Sequence, residues 1–181
     1  MTTFISKGEY VAENVEIGEG TIIHAGAIIE EKCMIGKNCR IGYYAVLREG
    51  TIIGDKSVFS HHSVSEGNNI IGSNTVIHAQ CHITEGVKIG DWVFIAPFFC
   101  GANTRKIVHG RDFPLEKVGY TIGFGTRIGI GVLVVPGIKI GRETLIDMGS
   151  LVTRDVPDYT HVRGVPAKPI REVPADERIT F

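Results

Sequence analysis

One stretch, GANTRKIVHGRDFPLEKVGY at residues 101–120, collects side chains that can do chemistry. Histidine is the side chain that takes and returns a proton near neutral pH, so His109 is a candidate general base. Asn103 and Thr104 can each donate a hydrogen bond to an oxygen that gains negative charge during a reaction. Arg105, Lys106, Arg111 and Lys117 outnumber Asp112 and Glu116, and Phe113, Pro114 and Leu115 offer an apolar anchor. Loops of this length are uncommon in compact folds and are usually functional. The stretch predicts a loop that reaches into an acceptor site and positions a nucleophile there.

The element that must carry this loop is set by a period. An apolar residue recurs every six positions in the series Val11, Ile17, Ile23, Ile29, Ile35, Ile41, Leu47, Ile53, Phe59, Ser65, Ile71, Ile77, Ile83, Ile89 and Ile95, broken only at Ser65. A second series runs through Ile122, Ile128, Val134, Ile140, Ile146 and Val152. Two residues before most of these positions stands a small side chain such as Thr21, Ala27, Cys33 or Cys39. In a short strand that small residue points to the same inner face as the large one. Gly, Asp, Glu and Asn fill the positions between, as corner residues tolerant of positive φ. Each hexad is a short strand plus a corner, and three corners close a triangle of 18 residues whose coils stack as parallel strands.

The expected architecture is all-β: a parallel β-helix of about seven triangular coils, one long loop excursion and a short irregular C-terminal tail. The expected spans, within a single domain of residues 1–181, are coils at 11–100, the excursion at 101–121, C-terminal coils at 122–157 and the tail at 158–181. Ser65 and Asn69 sit where apolar or small groups belong, which predicts a bulged corner. Cys33, Cys39 and Cys81 read as small core residues, Tyr43, Tyr44 and Trp92 as corner aromatics, and His24, His78 and His82 as outward.

Composition bounds the partners. A formal net charge of -1 with no basic patch argues against a nucleic-acid binder. No apolar run is long enough to span a membrane, and MTTFISKGEY carries no apolar leader, so the expected location is cytoplasmic. Four cysteines without a CxxC pair suit a reducing compartment.

The period resembles the hexapeptide-repeat family, and it is that resemblance which implies a left-handed β-helix. From Ile89 onward, the VPGIKIG hexads, the SLVTRDVP exit and the GVPAK signature resemble the C-terminal coils of acyl-CoA-dependent acetyltransferases. By that resemblance acetyl-CoA is the co-substrate, its pantetheine lies along the coils in a groove between subunits, and the assembly is a homotrimer. Arg154 and Lys168 then fall as phosphate contacts, with Gly131 and Gly149 as places where backbone approaches the ligand. GANTR followed by FPL is similar to the active-site loop of the xenobiotic acetyltransferases, GANHR followed by YPF, whose His is the general base; Thr104 stands in that place here. The plan is also similar to the sugar-nucleotide N-acetyltransferases, and Glu85, in ITEGVKIG, occupies the corner slot where some of these carry a catalytic His. An amine with a pKa near 8 is partly neutral without help, whereas a hydroxyl needs a base, so the missing loop His favours an amino sugar, nucleotide-linked, as acceptor. An O-acetyltransferase is the second reading.

Two other classes remain. YAVLREG is loosely similar to a segment of the γ-class carbonic anhydrases, which bind a metal through three histidines, and His61, His62, His78 and His82 lie close in sequence. Counted by 18, no two of them share a column, so no metal is expected. A non-catalytic scaffold would have no use for the loop or for GVPAK.

Overall fold

The computed structural model describes residues 3–180. Two-residue strands alternate with corners around three faces, each face a parallel sheet running the length of the stack. The first face runs from Phe4–Ile5 to Thr160–Arg163, the second from Tyr10–Val11 to Leu151–Val152, and the third from Glu16–Ile17 to Lys139–Ile140. The ten-stranded first face ends in one antiparallel strand, leaving nine parallel ones, so the solenoid has about nine turns, not the seven expected.

Strands outside the expected series add to the stack at both ends and at Cys100–Gly101. Phe4–Ile5 already pairs with Ile22–Ile23, one hexad before the series that begins at Val11. At the other end the coil shortens from 18 residues to 16, Ile140 bridging to Val156 and Ile146 pairing with Val162, which takes the last turn out of phase. The tail is not irregular either: Thr160–Arg163 extends the first face, and Lys168–Glu172 folds back antiparallel on it. Val173 is fully buried, Ile179 N donates to Glu143 Oε1 at 3.0 Å, and the Arg178 guanidinium lies 4.0 Å from the Tyr159 ring centroid. This closing segment covers the end of a stack whose last coil has no neighbour, as solenoids require.

Inside, the aliphatics stack coil upon coil, and Ile23, Ile41, Ile77 and Ile95 are fully buried. Removing such side chains from water is the main term holding the stack together, about 1.5–3 kcal/mol each. The small inner positions do more than fill space. Thr75 Oγ1 donates to Gly90 O at 2.8 Å and accepts from Val93 N at 3.2 Å, and Ser57 Oγ repeats the pattern with Gly72 O and Thr75 N. Burial pushes the Cys81 thiol up to about 11, in keeping with an inert core residue. Corners are tight: a Cβ on Gly72 would come within 2.5 Å of the Asp91 amide nitrogen, so that slot takes glycine.

Ser65 and Asn69 do not make a bulge. Ser65 stays in register with Leu47 below and Ile83 above, and both polar side chains are fully buried. Asn69 Nδ2 donates to Ser65 Oγ at 2.8 Å, Ser65 Oγ lies 2.9 Å from Thr51 Oγ1, and Asn69 Oδ1 accepts from Val87 N at 2.7 Å. A satisfied network lets polar groups occupy the core without disturbing the ladder.

The excursion leaves after Cys100–Gly101 and returns at Thr121–Ile122, one residue inside each end of the expected span. Gly101 takes the inner slot that elsewhere holds an aliphatic, and Phe99 and Tyr120, both fully buried, take the two neighbouring small slots. Their rings meet edge to face with centroids 5.9 Å apart. Large and small exchange places, and the core stays filled where the chain departs.

Candidate active site

The second face, beside the root of the excursion, carries the arrangement with the most evident chemistry. His82 and Cys100 are direct partners on adjacent strands and both point outward, with Val64 next to His82 and Leu133 next to Cys100. His82 Nε2 lies 3.0 Å from Glu66 Oε1. A carboxylate on one ring nitrogen orients the imidazole and leaves the other nitrogen to accept a proton. By its place in the hexad, His82 is expected only to point outward. The signal was the offset of 16 residues from Glu66, which places the two diagonally across one coil.

The neck of the excursion brings three of the expected residues together. Thr104 pairs with Lys117 across an antiparallel bridge, and Val118 N donates to Asn103 O at 2.6 Å. Asn103 is buried; its Nδ2 donates to the backbone carbonyl of Glu85 at 3.2 Å and its Oδ1 accepts from Thr104 Oγ1 at 3.2 Å. Glu85 accepts from Lys117 Nζ at 2.6 Å and from Asn68 Nδ2 at 3.1 Å. Those two hydrogen bonds, Lys117 first, hold its carboxyl below the usual carboxylate range. A carboxylate so held is charged at neutral pH and a weak base.

His109 stands apart from them. It is exposed at the distal turn of the excursion, where its carbonyl accepts from Arg111 Nη1 at 2.8 Å.

Gly131 and Gly149 occupy equivalent corners of successive coils between the first and second faces, with φ of 68° and 67° and open space where a side chain would be. Exposed Ile130 and Met148 precede them. Arg154 and Lys168 meet at a cleft of about 410 Å³, bounded by Val152, Val156, Pro157 and Val162 at the closing end of the stack. The strand Leu151–Val152 of the second face joins the Gly149 corner to Arg154.

The remaining histidines disperse along the first-to-second corner. His61 Nδ1 accepts from Tyr43 N at 2.9 Å, His62 stacks on Tyr44 with centroids 5.2 Å apart, and His78 lies edge-on to Phe94 at 5.1 Å. Among the described residues no three His, Cys, Asp or Glu side chains are placed to hold a metal ion. Nor is any helix among them long and apolar enough to cross a membrane. A second imidazole–carboxylate pair, buried His161 Nε2 to half-buried Asp147 Oδ1 at 2.7 Å, lies at the far end of the first face, where Arg163 also binds Asp147.

Residues 10–108 match the family described as GMPPB C-terminal domain, and residues 120–154 match the hexapeptide repeat of succinyl-transferase. The chain belongs to the GMPPB C-terminal domain family of hexapeptide-repeat proteins. This hexapeptide-repeat chain is 38% identical over 90 residues to galactoside O-acetyltransferase of Escherichia coli, a match covering 48% of this chain and 44% of that one. It is 41% identical over 92 residues to chloramphenicol acetyltransferase of Klebsiella aerogenes, covering 50% and 43%. It thus spans less than half the length of each of these relatives. A solved variant of AntD, an N-acyltransferase from Bacillus cereus in complex with dTDP-4-amino-4,6-dideoxyglucose and coenzyme A, shares the fold. Its TM-score is 0.61 at 18% identity, over 87% of this chain and 82% of that one.

Proposed function

We propose that this chain transfers an acetyl group from acetyl-CoA to the amine of an amino sugar, nucleotide-linked, at the second face of the solenoid. The carrying observation is that Arg154 and Lys168 line one cleft at the end of the same face that bears His82, Glu66 and the root of the excursion. The cleft offers two cations to phosphates and apolar walls beside them. Gly131 and Gly149 leave backbone accessible at the edge of that face, along which an extended thioester arm would run toward His82. The amine breaks into the thioester as coenzyme A leaves, and its proton passes to the imidazole that Glu66 orients.

The amine reading rests on the excursion. Thr104 lies in the neck, Glu85 is tied to Lys117, and His109 sits at the distal turn, so the excursion presents no oriented base. An amine tolerates that lack because part of it is already neutral near pH 8. Acetylation of a hydroxyl is the second reading, favoured by the His82–Glu66 pair, which is the kind of base an alcohol needs. The acetyltransferase names of the relatives support acetyl transfer in general, and the solenoid fold is compatible with either acceptor. A homotrimer with the groove between neighbours belongs to the same proposal.

The test is acetyl-CoA with a panel of amino sugars, nucleotide-linked amino sugars and plain sugars, the products read by mass. Amide products from nucleotide-linked amino sugars support the amine reading. Ester products alone replace it with the hydroxyl reading, and no acetylated product rejects both.

A further inference from the structure

The excursion is tied to the solenoid mainly at its neck, between the Glu85 corner and the Gly137 corner of the coil beyond. Its distal contacts are internal: Arg111 N donates to Val108 O at 2.7 Å, Arg111 Nη1 to His109 O at 2.8 Å, and Lys106 lies 5.6 Å from the Phe113 ring centroid. Its ties to the stack cluster at the neck, where Val118 meets Gly137, Asn103 meets the Glu85 carbonyl and Lys117 meets the Glu85 carboxylate. A segment packed on itself and attached at its neck is placed by that neck.

We propose that the Lys117–Glu85 ion pair is a latch that sets the position of the excursion, making Glu85 and Lys117 positioning residues. Three observations carry this. The Glu85 carboxylate spends both oxygens, one on Lys117 and one on Asn68 from the coil below, which fixes its direction. The same residue's carbonyl holds Asn103, so Glu85 binds one residue from each strand of the neck. The charges also match. The excursion from 102 to 120 has four cations (Arg105, Lys106, Arg111, Lys117) against two acids (Asp112, Glu116), a net of +2. The five coil corners beneath it have six acids (Glu13, Glu30, Glu31, Glu49, Glu66, Glu85) against two cations (Lys32, Arg48), a net of -4. A basic excursion thus stands at the end of an acidic ridge, with Lys117 and Glu85 as its ion pair to that ridge among the described residues.

The pair is partly open to water, the side chains being 51% and 32% exposed. Such a pair shifts an equilibrium several-fold and does not lock it. That is what a segment needs if it must open for a large acceptor and close before transfer. The kinetic side of this inference rests on the acetyl-transfer reading; the placement of the excursion does not.

The experiment compares the full chain with Glu85→Gln, Lys117→Gln and the double exchange Glu85→Lys with Lys117→Glu. Amide hydrogen exchange is read over residues 104–118. The expected result is a several-fold faster exchange in each single variant, substantial return toward the original rate in the double exchange, and a similar loosening of the unaltered chain as salt is raised. KM for the acceptor rises several-fold in the single variants with kcat within about twofold, and falls again in the double exchange. Unchanged exchange in both single variants overturns the latch, as does a double exchange as loose as the singles. The expected exchange pattern in a chain that transfers no acetyl group would overturn the proposed function and leave the latch standing.

Discussion

Tyr120 fills the space that Gly101 leaves empty: a Cβ on Gly101 would overlap both the ring and the hydroxyl of Tyr120. The chain therefore closes its core around the excursion with one residue from each end of it. The Tyr120 hydroxyl is buried near Thr84, and neither hydroxyl completes a hydrogen bond of ordinary geometry.

Gly101→Ala should therefore destabilise the chain by about 1–3 kcal/mol, the usual cost of overfilling a packed core. Tyr120→Phe, which removes only an unpartnered hydroxyl, should be neutral or slightly stabilising. Thermal melts of the two variants check this, and a Gly101→Ala protein as stable as the original would show that the ring has room to move.

Asp147 makes a pH prediction. Burial alone would raise its carboxyl, but the hydrogen bonds from His161 and Arg163 outweigh that and leave it below the ordinary aspartate value. A depressed folded-state pKa contributes stability that is fully present above the unfolded value, near 3.9, and is lost as pH falls through the folded value. Melting temperature should drop below about pH 4, and Asp147→Asn should lower it at neutral pH while flattening that acid limb. An unchanged acid limb in the variant would assign the loss to other carboxylates.

For acetyl transfer, His82→Ala should cost about tenfold in turnover with an amine acceptor, the deficit shrinking as pH rises and the amine loses its proton unaided. With a hydroxyl acceptor the loss should be on the order of 10²-fold to 10⁴-fold. Glu66→Gln should follow in the same direction with a smaller effect, and His109→Ala should leave turnover within about twofold. A large loss from His109→Ala, with His82→Ala silent, would move the base to the tip of the excursion.

Much of the fold was legible because an inward residue every six positions is a direct record of the coil. What escaped did so for local reasons. The hexad at Gly101 has its large and small residues exchanged, so a search for aliphatics stops at Ile95. The last coil loses two residues, so Val156 and Val162 fall off the period. Ser65 and Asn69 looked like a fault because their partners, Thr51 and the Val87 amide, lie on neighbouring coils. The candidate site was legible in part. Asn103, Thr104 and Glu85 converge at the neck, yet His109, five residues after Thr104, is carried away by the excursion. His82 and Glu66, sixteen residues apart, are brought together by the coil. Counting by 18 finds residues in one column, and this pair lies on a diagonal between columns.

The most direct test of the account is thiol release from acetyl-CoA, followed continuously with a nucleotide-linked amino sugar as acceptor, for the unaltered chain and for Arg154→Ala with Lys168→Ala. The account predicts acceptor-dependent release by the unaltered chain and a KM for acetyl-CoA at least tenfold higher in the double variant, with kcat less affected. Release that does not depend on the acceptor, or a double variant with unaltered KM, would contradict it.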